Sequence, residues 1–84
     1  MHAGSINGSS AAGRVFRYLR ENVGEWIDGW TLTMECRVTA VGTRVSEIRS
    51  QIDGTGYAIE HAQYSSGHYY RLVPVGQMEL EEAV

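Results

Sequence analysis

The sequence has one cysteine, one proline, no lysine and no long apolar run. It therefore offers neither a pair of cysteines for a disulfide nor a segment that could span a membrane. With Cys36 alone, an intrachain disulfide is excluded and packing must hold the fold, as is typical of the reducing cytoplasm. No apolar run approaches the roughly 20 residues that cross a bilayer. The first residues lack the charged and apolar regions of a signal peptide. We therefore expect a cytoplasmic protein without a membrane segment.

What is present suffices for one small domain. The chain has 84 residues, of which 43% are hydrophobic, with two tryptophans and five tyrosines. That content supports one modest core, so we expect a globular chain rather than a disordered one. Residues 1–9 are small and polar, which predicts a flexible arm. Residues 10–75 form the predicted domain, and residues 76–84 form an acidic tail.

The charge is unevenly distributed along the chain. The formal net charge of −3 by itself opposes a strongly cationic nucleic-acid binder. However, Glu79, Glu81 and Glu82 lie in the tail, and the remaining seven carboxylates balance the seven arginines of the predicted domain. All of the lysine and arginine residues are arginines. The guanidinium group of arginine can donate two parallel hydrogen bonds to a phosphate or to guanine. A GC-rich gene would favour arginine over lysine in the same way without any functional cause.

The first predicted helix covers residues 10–22. Ser9 or Ser10 can accept a hydrogen bond from the first turn as N-cap, and Gly24 ends the helix. An apolar stripe with helical spacing supports this assignment. The stripe consists of Val15, Phe16, Leu19 and Val23.

The next segment predicts a short strand followed by a short helix. Residues 26–27 form the strand, and Asp28 is a suitable N-cap for a helix over 29–36. Apolar alternation leaves a strand over 30–33 open as an alternative, and we favour the helix.

A third helix is predicted over 40–51, with Thr39 as its N-cap. Gly42 inside it costs about 1 kcal/mol relative to alanine. Turn residues follow at 53–56 and end the pattern. The helix is supported by an apolar stripe formed by Val41, Val45, Ile48 and Ile52.

The last part of the domain predicts a β-hairpin. Alternating residues indicate strands over 57–61 and 69–73, and the polar segment 63–68 with its glycine is typical of the connecting turn. Pro74 ends the second strand.

The order of helix, helix, helix and hairpin resembles the winged helix-turn-helix family. The chain is especially similar to small winged-helix proteins of actinobacterial phages, over residues 13–73. The resemblance implies an α+β fold with a β-hairpin wing and a short strand before the second helix. The matching segments are Ile27-Asp28-Gly29-Trp30-Thr31-Leu32, Val38-Thr39, Arg44-Val45-Ser46-Glu47-Ile48-Arg49, Gly56-Tyr57-x-Ile59 and Tyr70-Arg71-Leu72.

The resemblance implies binding of double-stranded DNA, with helix 40–51 in the major groove of a site used in transcription or another DNA transaction. Arg44 is the first candidate for a base contact, since arginine can contact guanine O6 and N7 together. Pairing of Arg44 with Glu47 or Glu35 is the alternative. The other candidate DNA contacts are Thr39, Thr43, Glu47, Arg49, Arg14, Arg17, Arg71 and, in the wing, His68.

No residue pattern indicates catalysis or a cofactor, so the protein is expected not to be an enzyme. His2, His61, His68 and Cys36 lack the close pairing of a structural zinc site. Cys36 has no evident base and third group, so a packed thiol is expected.

A second function class remains open: a winged-helix module that binds a host protein through an exposed tryptophan or an acidic surface and does not bind DNA. A homodimer is a possible arrangement for DNA binding, on a two-fold-symmetric site. Trp26 and Trp30 are expected in the core, and an exposed tryptophan would mark a protein interface instead. DNA binding requires Arg44, Arg49 and Arg14 or Arg17 on one face without carboxylates among them. Protein binding predicts an apolar patch around an exposed tryptophan.

Overall fold

A computed structural model describes residues 10–75 as an α+β fold in which three helices cover one face of a three-stranded antiparallel sheet. The predicted arm 1–9 and tail 76–84 lie outside the described residues. The elements are α1 (Ala11–Glu21), β1 (Ile27–Asp28), α2 (Gly29–Cys36), α3 (Val41–Ile52), β2 (Tyr57–Tyr64) and β3 (Gly67–Pro74).

Side-chain caps start the first two helices. The Ser10 hydroxyl accepts from the backbone N–H of Gly13 at 2.9 Å, and Asp28 accepts from the Thr31 N–H at 3.1 Å. These bonds satisfy donors that the helix cannot pair internally. The predicted helix over 29–36 is confirmed, and the alternative strand over 30–33 is wrong.

The third helix starts differently from the prediction. Ala40, not Thr39, is the N-cap, and its backbone is left-handed with φ of 52°. The N–H groups of Thr43 and Arg44 bond to the Ala40 carbonyl, and no side chain caps this end. The connection from α2 is tight because Arg37, at the end of α2, is also left-handed.

The sheet has the strand order β1-β3-β2. In the β2–β3 hairpin, Ile59 lies opposite Leu72 and Tyr64 opposite Gly67, which leaves a two-residue turn. Both hairpin strands are longer than predicted, because pairing continues past the apolar residues to the turn.

One apolar core joins the helices to the sheet. The predicted stripes on α1 and α3 face it, except that Phe16 and Val41 are half-buried and Val23, beyond the end of α1, is 46% exposed. The six most deeply buried side chains are Leu19, Leu32, Ile48, Leu72, Val15 and Val45.

The expectation that both tryptophans lie in the core is wrong. Trp26 is 42% exposed and Trp30 is 70% exposed. Trp26 precedes Ile27, whose side chain is buried, so alternation along the strand places Trp26 on the opposite face of the sheet. On α2, Leu32 and Cys36 occupy the buried face, and Trp30 projects away from it.

Candidate nucleic-acid interface

The outward face of α3 is small and polar at its start. Thr39, Gly42, Thr43 and Ser46 are all exposed, whereas Val45 faces the core. Thr39 and Thr43, both predicted contacts, therefore lie on accessible surface. Short side chains allow the backbone of a helix to approach a partner surface closely.

Arg44 lies at the edge of this face and is largely engaged. Its Nη2 is 3.2 Å from Glu47 Oε2, and its side chain is 26% exposed. Its Nε is buried and has no hydrogen-bond partner among the described residues. The pair with Glu47 was the alternative to a base contact, and it is the arrangement observed.

Two arginines meet at the turn between α2 and α3. Arg14 of α1 reaches across, and its guanidinium donates to the carbonyls of Cys36 at 2.9 Å and Arg37 at 3.2 Å. Both arginines are exposed. The guanidinium of Arg37 has no partner among residues 10–75. Arg14 and Arg37 thus lie at the turn that precedes α3, and Arg14 also lines a cleft with Glu21 and Glu35.

The remaining predicted arginines serve other contacts. Arg17 pairs with Glu21 at 3.3 Å on the surface of α1. Arg49 donates to the Ile59 carbonyl at 3.0 Å and links α3 to β2. Arg71 pairs with Glu60 across the hairpin and lies 4.4 Å from the ring centroid of Trp26. Carboxylates therefore lie next to several of the arginines. The condition set for DNA binding, arginines on one face without carboxylates among them, is not met.

A groove of about 380 Å³ separates the start of α3 from the hairpin. Trp30 and Asp28 lie on its α2 side, Gly42 on its α3 side, and His68 and Tyr70 on its hairpin side. A Cβ at Gly42 would lie 4.0 Å from the Tyr70 hydroxyl, which is an ordinary van der Waals contact, so the two residues face each other across the groove. The groove brings the predicted contact His68 next to α3.

The two histidines of the hairpin form a pair. His61 Nε2 and His68 Nδ1 are 2.9 Å apart, and their rings are stacked with centroids 5.1 Å apart. Tyr70 stacks on His61 at the same centroid distance. Both histidines are exposed. Among residues 10–75, no cluster of three or more metal-ligating side chains occurs.

The environment shifts the pKa of two groups in opposite directions. The hydroxyl of Thr31 donates to Asp28 at 2.5 Å, and together with backbone donors it holds the pKa of Asp28 below its ordinary value. Burial raises the pKa of the Cys36 thiol. The thiol is thus protonated and packed, as the sequence predicted.

Two residues of this surface were missed from the sequence. Arg37 was not assigned because its position at the turn depends on the left-handed end of α2. Trp30 was assigned to the core, although Trp30 and Met34 share one helical stripe and Leu32 and Cys36 share another. Either stripe could face inward on spacing alone. Trp30 and Met34, 56% exposed, form the outward stripe.

Within residues 10–75, no helix combines the length and apolarity needed to span a bilayer. The chain matches no family model, no curated protein and no solved structure.

Proposed function

We propose that this chain is a winged-helix protein that binds double-stranded DNA in the cytoplasm, without catalysis, as a regulator of transcription or another DNA transaction. In this proposal α3 is the recognition helix and the β2–β3 hairpin is the wing. The observation that carries the proposal is the exposed, small-residue start of α3 beside Arg14 and Arg37.

The chemistry of this surface suits a duplex. Thr39 and Thr43 can hydrogen-bond to base edges or phosphates, and their methyl groups can contact a thymine methyl. In this proposal, Arg14 and Arg37 contact phosphates from the turn that precedes the recognition helix. The groove between α3 and the hairpin gives the backbone space, and His68 lies on its far side.

The net charge of the domain limits the affinity that we expect for DNA. Phosphate neutralisation supplies most non-specific affinity. Because the domain is neutral and several arginines already pair with carboxylates, we expect weak binding by a monomer. Two copies on a two-fold-symmetric site would strengthen it.

The test is fluorescence anisotropy of a labelled random duplex titrated with the full chain at several salt concentrations. We expect Arg37→Gly to weaken binding and to lower the magnitude of the log–log salt slope by about one, as for a lost phosphate contact. Glycine accepts the left-handed backbone at this position, so the fold is retained.

Arg20→Ala is the matched control. It removes one exposed arginine from the last turn of α1, away from the turn before α3. Its affinity should stay near that of the wild type. Absence of binding by the wild type at low ionic strength would refute the DNA proposal, and equal losses in both variants would refute the role of Arg37.

One observation favours a second function, protein docking through α2. Trp30 and Met34 are one helical turn apart and both project outward, forming the apolar patch expected of a protein interface. The occupant we propose first is a second copy of the chain, since a dimer would also double the contacts with DNA.

Sedimentation velocity over a concentration series tests this second function. Trp30→Ser should shift the chain towards monomer, while Val23→Ser, which removes an exposed apolar side chain at the end of α1, should not. A wild type that stays monomeric throughout would exclude the second copy as the occupant.

A further inference from the structure

The histidine pair of the hairpin has a geometry that the proposed DNA contact does not require. His61 lies opposite Tyr70, and Gln63 lies opposite His68, so the two histidines are diagonal neighbours on the same face of the sheet. Their facing nitrogens, His61 Nε2 and His68 Nδ1, are 2.9 Å apart. The ring of Tyr70 stacks on the ring of His61, so one of the two imidazoles is packed against a neighbouring side chain.

The hydrogen bond brings the two imidazoles close enough to bind one metal ion together once the rings turn. Imidazole nitrogens lie about 2.0–2.1 Å from a bound divalent metal. Two such ligands at 90° are therefore about 2.9 Å apart, whereas two ligands of a tetrahedral ion are about 3.4 Å apart. Rotation of the exposed rings brings both separations within reach, and imidazole ligands bind Cu²⁺ more tightly than Zn²⁺.

We propose that His61 and His68 form a two-nitrogen site for a divalent late transition-metal ion, with Cu²⁺ bound more tightly than Zn²⁺. Both side chains are exposed, so rotation of the rings about their soft terminal torsions can turn the two lone pairs onto one ion. Water fills the other coordination positions. The proposal does not rest on DNA binding, although His68 also lines the groove between α3 and the hairpin.

The proton balance of this step is simple. In the metal-free pair, one of the two facing nitrogens carries a proton and the other accepts it. When the ion binds, the donor ring adopts its other tautomer, and its proton moves through solvent to the nitrogen on the far side of that ring. Two neutral histidines therefore bind the ion without net proton release.

Binding has a structural consequence for the hairpin. The ion would join β2 to β3 near the turn, where the strands extend past the deeply buried Ile59 and Leu72. Because the metal binds the paired arrangement and not the separated strands, saturating Cu²⁺ should raise the thermal midpoint of the protein.

The test is calorimetric titration of the full chain with CuCl₂ and, separately, with ZnCl₂. Every protein carries His2→Ala. The imidazole of His2 could bind copper together with the N-terminal amine, and the substitution removes that imidazole from the competing site. We expect one Cu²⁺ per chain, with electron paramagnetic resonance showing two nitrogen ligands, and weaker binding of Zn²⁺.

Two variants separate the site from the fold. His61→Phe keeps an aromatic ring against Tyr70 but removes one ligand, and it should weaken Cu²⁺ binding at least about tenfold. Gln63→Ala, opposite His68, keeps both imidazoles and should bind as the parent does. Unchanged Cu²⁺ affinity in His61→Phe, or tighter binding of Zn²⁺ than of Cu²⁺, would overturn the proposal.

Discussion

At the scale of single residues, the partner of each charged side chain decides what that side chain can still bind. Arg44 belongs to the recognition surface by position, but its guanidinium is held by Glu47 one turn along α3. Arg37 was not singled out by the sequence, yet it is exposed, and its guanidinium has no partner within residues 10–75. Arg37 is therefore a stronger candidate for a DNA contact than Arg44.

Glu47→Gln should tighten non-specific DNA binding. The change removes a carboxylate from the face proposed to meet phosphates and frees Arg44 from its ion pair. The anisotropy titration measures this as a lower dissociation constant and a salt slope of greater magnitude. Glu21→Gln, which frees Arg17 on α1, is the control and should have a smaller effect. Weaker binding by Glu47→Gln would instead support the direct DNA contact that the sequence suggested for Glu47.

Asp28→Ala should destabilise the fold by about 1 kcal/mol, because α2 loses its N-cap. Asp28→Asn keeps a capping oxygen and removes the charge. Since the pKa of Asp28 is lowered in the folded state, its carboxylate stabilises the protein above the pKa of the unfolded chain, about 3.9. That stabilisation is lost as the pH falls through the lower folded pKa.

Urea unfolding at several pH values measures this effect. The advantage of the wild type over Asp28→Asn should be constant above about pH 5 and should shrink below about pH 4. An advantage that grows on acidification would contradict the assigned role of the carboxylate.

At the scale of elements, the connection between α2 and α3 determines the geometry of the candidate site. Arg37 and Ala40 both adopt a left-handed backbone that is unfavourable for residues with a Cβ. The two bends place the start of α3 beside Arg14, which anchors the turn through two carbonyls. The hairpin forms the opposite wall of the groove.

Arg37→Gly should raise the free energy of unfolding by roughly 0.5–1 kcal/mol, since glycine relieves the left-handed strain and loses only part of that gain to chain entropy. The Arg37 carbonyl that accepts from Arg14 is retained. Urea unfolding measures the change. Val38→Gly, at a buried position that lacks a left-handed backbone, should destabilise the protein instead. A less stable Arg37→Gly protein would show that the arginine side chain stabilises the turn.

At the scale of the whole molecule, neutrality limits affinity for any polyanion. The seven arginines are dispersed over two helices, a turn and a strand, and ion pairs engage Arg17, Arg44 and Arg71. Arg14 and Arg37 meet at the turn before α3, and Arg14 and Arg17 line a cleft that also holds Glu21 and Glu35. The proposed DNA surface is therefore small.

The salt slope should reflect this small surface. If two to four phosphates are neutralised per chain, the plot of log affinity against log salt has a slope between about −2 and −4. Anisotropy titrations from low to moderate salt provide this number. A slope near zero would mean that no phosphates are neutralised and would favour protein docking through α2.

Local sequence signals determined most of the elements. Apolar stripes located α1 and α3, Asp28 marked the start of α2, and alternation with a polar turn located the hairpin. These signals suffice because caps and periodicities act within a few residues of the chain. The packed state of Cys36 was predicted on different grounds, because the sequence offers no catalytic partners for its thiol.

Tertiary structure alone decided which surfaces face solvent and which charges remain available. On α2 two stripes competed, and contact with the sheet buried Leu32 while Trp30 stayed exposed. The Arg14 bridge and the histidine pair join residues 23 and seven positions apart. Neither follows from local spacing, because a side chain's partners depend on how distant segments approach one another.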